Sequence, residues 1–335
     1  MKKEVSTNTA QVYKVSKEIK YVALEGGGLK GICYLGVFRA MIDNGIWNDI
    51  EAIAGSSAGA IAALVGCTGW GYNEMLELFL GIDFEKLLTT DSGSDTNTRK
   101  GKIIETITDP INLPLNIMRE YGLHKHKPLL KEIEKIVAKV SGLKNCTFAQ
   151  WHALRVIRME KKMKDIFCEA GCLDTGYNDV FSWKNPETRD VPISLAITAS
   201  CAFPFYITPV TINDFRYVDG GIQGNCPWGV FDITPGIPNE NLLCVMLKDR
   251  KEVVISSPQK KPIHNILQYG EAVLKLAERT QGRSLLNSGY ILYTFSCDTM
   301  GLNTFDYEKF SLLKDKLLDN SYTTTVKYLR KRREG

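Results

Sequence analysis

Residues 21–67 read YVALEGGGLKGICYLGVFRAMIDNGIWNDIEAIAGSSAGAIAALVGC, and the alternation of apolar runs with small-residue breaks in this stretch decides the fold. Tyr21-Val22-Ala23-Leu24 is a short continuous apolar run, the pattern of a strand buried on both faces. Gly26-Gly27-Gly28 breaks it, and a helical pattern follows from about Leu29 to Asp43, where Asn44-Gly45 supplies a stop. A second apolar strand is expected over Ile50–Ala54. Gly55-Ser56-Ser57-Ala58-Gly59 then turns it into a small-residue helix running to about Cys67. The order strand, helix, strand, helix implies a parallel sheet with helices on its faces, because parallel neighbours are joined only by crossovers.

Beyond this unit, helices are expected near 73–80 and 128–141, and His152 follows Trp151 on another. Strands are expected at 165–170, 206–210, 215–218 and 242–247, and helical character at 264–280, 283–288 and 307–331. Residues 89–100, TTDSGSDTNTRK, hold no large apolar side chain and read as a mobile surface loop. No repeat, low-complexity tract or linker divides the 335 residues. One catalytic-sized domain over 19–300 is therefore expected, preceded by a polar leader over 1–18 and followed by a helical segment with a basic end over 301–335.

At 44% hydrophobic and 24% charged, the composition is that of a globular protein and excludes collagen-like, disordered and disulfide-miniprotein classes. Lys+Arg of 42 against Asp+Glu of 38 leaves +4, too small an excess to call for a nucleic-acid partner. The basic residues are clustered, however: Lys2, Lys3, Lys14, Lys17 and Lys20; Arg155, Arg158, Lys161, Lys162 and Lys164; and Lys327, Arg330, Lys331, Arg332 and Arg333. Such clusters suit peripheral contact with an anionic membrane, although each alone is more simply a solvated face. Residues 111–118, INLPLNIM, suit either entry into a lipid interface or a buried loop.

Nine dispersed cysteines, an odd number, point to thiols in a reducing compartment and hence to the cytoplasm. Cys168 and Cys172 lack a second pair, so no metal is expected. Neither a signal peptide nor a membrane span of about 18 apolar residues is present in the sequence given.

Two glycine-rich turns carry the chemistry. Gly55-Ser56-Ser57-Ala58-Gly59 matches G-x-S-x-G between a strand and a helix, the context of a nucleophile elbow, with Ser57 central and Gly55, Ala58 and Gly59 small enough for close backbone passage. A plain helix N-cap is the bland alternative. Gly26-Gly27-Gly28-Leu29-Lys30-Gly31 fits G-x-G-x-x-G, but the following strand ends in Ala54-Gly55-Ser56 where a ribose-binding acid belongs, and Ile32 follows Gly31 where a P-loop needs Lys-Ser or Lys-Thr; no nucleotide cofactor is expected. The remaining use of the loop is to aim backbone N–H groups of Gly27 and Gly28, with that of Ala58, at an oxyanion. For the base, Asp219 in Tyr217-Val218-Asp219-Gly220-Gly221 ends a strand, where a turn aspartate is the plain reading. His124, His126 and His152 read as surface or packing residues. His264 with Ser57 and Asp219 would give the Ser, Asp, His chain order of a triad.

The three elements Gly26–Gly31, Gly55–Gly59 and Asp219-Gly220-Gly221, in this order, resemble the signature of patatin-like phospholipases. The similarity runs from about Tyr21 to Trp228 and includes Ala199-Ser200-Cys201-Ala202-Phe203-Pro204 and Asn225-Cys226-Pro227. Glu25 stands where many members have Asp, and Lys30 where Arg is frequent. The resemblance implies an α/β fold of the patatin type, a three-layer α/β/α sandwich with a mainly parallel central sheet. It also implies a Ser57–Asp219 dyad without histidine, metal or cofactor, and an oxyanion hole within Gly26, Gly27, Gly28, Leu29, Lys30 and Gly31, aided by Ala58. The expected activity is hydrolysis of acyl esters of phospholipid or other lipid, of the phospholipase A or lysophospholipase type, with any activating partner unspecified. A soluble carboxylesterase or thioesterase, or a lipid-binding module without turnover, is the alternative.

Overall fold

The computed structural model describes residues 15–84, 120–249, 272 and 288–334. The expectations for 1–14, 89–100, 111–118, His264 and the helices at 264–280 and 283–287 fall outside them. Strand β1 (Tyr21–Leu24) passes through a glycine turn and a 3-10 helix, Gly28–Ile32, into α1 (Cys33–Asp43). Strand β2 (Ala52–Ser56) leads through Ser57 into α2 (Ala58–Gly66), and α3 (Tyr72–Leu80) follows. Next come β3 (Gly122–His124), α4 (Lys127–Ser141), α5 (Phe148–Ile157), β4 (Asp165–Cys172), β5 (Asn178–Phe181) and α6 (Ile193–Ser200). Strands β6 (Phe205–Ile207), β7 (Val210–Ile212), β8 (Phe215–Asp219), β9 (Leu242–Lys248) and β10 (Thr294–Asp298) precede the long α7 (Tyr307–Glu334).

Among the described residues, eight strands form one sheet in the order β10-β9-β1-β2-β4-β8-β7, with β5 also paired to β4. The five strands from β10 to β4 are mutually parallel, whereas β5, β8 and β7 add antiparallel pairings. The chain is thus an α/β protein with a central, mostly parallel sheet. Because side chains alternate across a strand, Val22, Leu24, Ile53, Leu243 and Val245 enter the large core beneath α1 and α2. Ala23, Ala52, Ala54, Leu242 and Cys244 face the opposite side, where the 3-10 segments Trp228–Phe231 and Gly289–Tyr293 cover them. Small alanines on that second face let these irregular segments lie close to the sheet.

The expected helix from Leu29 divides in two, because its first turn is the tighter 3-10 segment that closes the glycine loop. The second strand lies two residues later than expected, so that Ser56 is its last residue. The single strand expected at 206–210 is split into β6 and β7 around Thr208-Pro209, where proline removes a ladder donor. Strands β3, β5 and β10 and helix α6 are additional.

Helix α7 packs along α1 so closely that a Cβ on Gly36 would fall 2.1 Å from the Ser321 hydroxyl. Its basic end is in part structural. The Arg332 guanidinium donates to the carbonyls of Ser16 (2.7 Å), Leu242 (2.8 Å), Glu18 and Glu240 (both 3.2 Å), tying the helix to the amino-terminal ends of β1 and β9. Truncation removes these bonds, though the Glu240 carbonyl keeps the Ser16 N–H (2.9 Å); each part-buried bond lost costs on the order of 1 kcal/mol. Arg332→Ala should therefore lower unfolding stability by about 1–3 kcal/mol, read as a reduced urea midpoint at unchanged slope.

Candidate active site

Strand β4 positions the site. Its residues 165–169 pair with β2 and its residues 170–172 pair with β8, while β5 pairs residues 168–171. Since β5 overlaps both of the others, β2 and β8 must share the opposite edge of β4. They run toward each other along it: Ser56 pairs with Glu169 and Asp219 pairs with Ala170, adjacent residues of one strand. The two strand ends, and with them Ser57 and Asp219, are brought together from 162 residues apart in the chain (219 − 57).

Ser57 occupies a sharp turn with φ 54 and ψ −124, a conformation costly for any residue with a Cβ. The turn is possible because the strand and helix backbones touch: a Cβ on Gly55 would lie 2.1 Å from the Gly59 carbonyl. The Ser57 N–H donates to the Ser200 hydroxyl (2.9 Å), which donates to the Glu169 carbonyl (2.5 Å). Two residues past Ser200, the Ala202 carbonyl accepts from the Asp219 N–H (3.0 Å). The carboxyl end of α6 therefore holds both residues. Asp219 is buried, and its Oδ1 accepts the Gly221 N–H at 2.8 Å, which fixes the carboxylate over its own turn.

The glycine loop divides into engaged and unengaged amides. Gly26 N–H donates to the Asn225 carbonyl (2.8 Å), Leu29 N–H to Thr304 (3.1 Å) and Lys30 N–H to Gly27 (3.3 Å). Among the described residues, none accepts from the N–H of Gly27, Gly28 or Ala58. Gly28 has φ +57, and a Cβ there would strike Thr304 at 2.5 Å, so glycine is required. Asn225 clamps the loop from the other side by donating its amide to the Gly26 carbonyl (3.2 Å). Glu25 is structural: its carboxylate accepts the Leu247 N–H (2.6 Å) and pairs with Lys248 (3.4 Å), joining the ends of β1 and β9.

Ser57, Asp219, Gly28 and Ala58 line one cleft with about 680 Å³ of empty space. Its walls are apolar, formed mainly by Leu29, Ile61, Phe84, Leu129, Phe203 and Phe305. Gly27 and Asn225 line the adjoining pocket together with Ser57 and Asp219. Thr304, Phe305 and Tyr307 bring the segment after β10 into the cleft, which nothing in the sequence had singled out. A hydroxyl, a carboxylate and unengaged amide donors in an apolar cleft are the parts that acyl transfer uses.

Of the described histidines, none lines this cleft. His126 bonds the Thr208 hydroxyl (2.9 Å), and burial lowers its pKa. His152 contacts Asp165 (2.9 Å) and stacks on Trp183, at the far end of the sheet. Cys168 and Cys172 are buried core thiols.

Sequence reasoning missed Glu169 and Asn178. The Asn178 amide donates to the Gly220 carbonyl (3.0 Å) and to the Glu169 carboxylate (3.4 Å), so this pair braces the turn behind Asp219. Burial lifts the Glu169 carboxyl from 4.5 to about 7, opposed by the Asn178 hydrogen bond. Neither residue lies in a motif; an acidic side chain within Ile166–Cys172, a run of otherwise apolar and small residues, is the signal that marks Glu169.

The fold is α/β, with a central, mostly parallel sheet whose strand ends carry the cleft. A family model for patatin-like phospholipase matches residues 22–232, and the chain belongs to that family. It is 28% identical over 221 residues to "Uncharacterized protein R571" of Acanthamoeba polyphaga mimivirus, covering 65% of this chain and 64% of that one. It is 26% identical to "Uncharacterized protein YqhO" of Bacillus subtilis (62% and 64% covered) and 22% identical to "Probable lipid hydrolase 463L" of Invertebrate iridescent virus 6 (63% and 62%). The chain thus spans less than two-thirds of the length of these relatives. VipD from Legionella pneumophila has a similar fold, with TM-score 0.59 and 16% identity over 98% of this chain and 72% of VipD. ExoU of Pseudomonas aeruginosa, in complex with SpcU, gives a TM-score of 0.51 at 18% identity over 96% and 54%.

Two measurements test the bracing. Ser200→Ala leaves the Ser57 N–H without its acceptor, removes the hydroxyl from the Glu169 carbonyl, and should lower stability by about 1–3 kcal/mol in urea. For Glu169, the folded-state pKa lies above the unfolded value, so the unfolded chain releases this proton first and stability falls as pH rises from 4.5 to about 7. In Glu169→Gln that part of the fall should vanish, read as a flatter melting temperature across the window.

Proposed function

We propose that this protein is a lipid acyl hydrolase of the phospholipase A or lysophospholipase type, with Ser57 as nucleophile and Asp219 as general base. The observation that carries the reading is the pairing of Ser56 and Asp219 with adjacent residues on one edge of β4, at the wall of an apolar cleft. In the first step Asp219 takes the Ser57 proton as Oγ forms a bond to the acyl carbonyl carbon. The charge on the carbonyl oxygen is met by the N–H groups of Gly27, Gly28 and Ala58, which have no acceptor among the described residues. Collapse of the tetrahedral intermediate expels the lysolipid or alcohol, which receives the proton from Asp219. Water, deprotonated by Asp219, then attacks the acyl-enzyme carbonyl; the bond to Ser57 Oγ breaks, Oγ takes the proton back from Asp219, and a fatty acid is released. The oxyanion role narrows within the glycine loop, since Gly26, Leu29 and Lys30 spend their amides on holding its shape.

The apolar cleft supports a fatty acyl group as the part of the substrate that is held, and the relative named as a probable lipid hydrolase supports the same class. Ser57→Ala and Asp219→Asn should each reduce hydrolysis of a short-chain nitrophenyl ester by roughly a thousand-fold or more while leaving the circular dichroism spectrum unchanged. Full activity in either variant overturns the dyad. In the same assay His264→Ala should stay within a few-fold of wild type; a loss of several orders of magnitude would instead make His264 the base.

A further inference from the structure

The two ends of the sheet differ in chemistry. Ser57 follows the carboxyl end of β2, and β4 runs parallel to β2, so the turn after Cys172 lies at the same end. Strand β8 is antiparallel, which puts its first residue, Phe215, there too. At about 3.3 Å per residue, Leu173 stands roughly 13 Å beyond the level of Ser56 along the strands. Among the described residues at this end, four large apolar or aromatic side chains are exposed between polar neighbours: Leu173 at 51%, Tyr177 at 71%, Phe215 at 44% and Tyr121 at 58%. Three of them share one turn: the Leu173 N–H donates to the Arg216 carbonyl next to Phe215 (2.8 Å), and the Cys172 N–H donates to the Tyr177 carbonyl (2.9 Å). Tyr121 in turn precedes β3, which pairs with β6 between the cleft residues Phe203 and Ile207. Of the charged side chains beside these residues, Arg216 pairs with Asp174 and Lys125 with Glu120, and exposed Asp214 precedes Phe215, so the rim carries no excess of positive charge.

The described members of the basic clusters lie at the other end. Lys20 pairs with Glu51 ahead of β2, Arg155 with Asp165 at the start of β4, and Arg332 reaches the Leu242 carbonyl at the start of β9. Lys164 is not available at all: it is buried, donates to the Trp47 carbonyl (2.8 Å), and burial brings its pKa down to about 8. A membrane drawn to these clusters would face the end of the sheet opposite Ser57.

We infer that the apolar rim of Tyr121, Leu173, Tyr177 and Phe215 docks the protein on a neutral, zwitterionic phospholipid surface, with the cleft opening toward the lipid. The inference rests on the acyl-hydrolase reading for its substrate, and the continuity of the rim with the cleft wall commits it to a lipid surface. Tyrosine and phenylalanine suit the headgroup level, where a ring is half in hydrocarbon and half in water. With no net positive charge on the rim, attraction to the surface is apolar and insensitive to salt.

The test is flotation of the full chain with phosphatidylcholine vesicles, using the Ser57→Ala protein so that binding is read without turnover. Binding that persists in 0.5 M NaCl and falls at least tenfold in Leu173→Asp/Phe215→Asp is the expected result, with the milder Tyr177→Ser giving a partial loss and melting temperatures confirming that each variant folds. In the Ser57-containing protein the same double variant should lose vesicle hydrolysis tenfold yet keep hydrolysis of a soluble nitrophenyl ester within twofold. Ile157→Asp/Met159→Asp, at the basic end, should change neither. No vesicle binding by the parent, binding that requires anionic lipid and disappears in salt, or a double variant that binds as the parent does overturns the inference. So does a parent dimer that the double variant converts to monomer with vesicle binding retained, since the rim is then a contact between two copies. Vesicle binding lost in the variants while neither ester is hydrolysed by any form separates failure of the acyl-hydrolase reading from failure of the docking surface.

Discussion

One edge of β4 serves two strands that approach from opposite directions, and every other feature of the site follows from where they meet. β2 stops at Ser56, and β8 fills the rest of the edge down to Asp219. A one-residue slip of either strand would turn its side chains to the opposite face of the sheet. The register is fixed by burial of all five β2 residues and by the packing of Tyr217 and Val218 in β8. The separation of hydroxyl and carboxylate is therefore set by core packing rather than by the loops that carry them. The α6 terminus reinforces it by bonding the Ser57 amide through Ser200 and the Asp219 amide through Ala202.

Backbone donors in the glycine loop are sorted by the same logic. An amide that shapes the loop is spent, and one that faces the cleft wall remains for a ligand. Asn225 and Thr304, from segments far along the chain, do the shaping. The strained Ser57 backbone is held by a strand end, a helix start and the Ser200 hydroxyl together, which is how a costly conformation persists in a folded protein.

A parallel sheet also gives the molecule two unlike ends. Loops at the carboxyl ends of β1, β2 and β10 line the cleft, and the antiparallel β7–β8 hairpin exposes Phe215 at the same end of the sheet. The amino-terminal ends collect lysines and arginines, several of them spent on carboxylates or carbonyls within the protein. Charge clusters that look alike in the sequence thus differ in availability, from buried Lys164 to exposed Arg330.

The α/β architecture, β1, both glycine turns, Ser57 and Asp219 are legible in the sequence because they depend on local pattern: apolar runs of strand length, and glycines where backbones must touch. Helix α6 is not. All but one of its eight residues are buried, so Ile193–Ser200 shows no polar face and no helical period, and its β-branched residues favour the wrong assignment. Strand β5, with three of four residues only half-buried, lacks the apolar signal for a related reason. Glu169, Asn178 and Thr304 belong to no motif, because their partners are set by sheet register. The amino-acid order by itself determined which groups the chain possesses and which turns hold them. Only the tertiary structure decided that β2 and β8 share an edge, which amides stay unspent and which end of the sheet is apolar, since hydrogen-bond partners and exposure arise from contacts between segments distant in the chain.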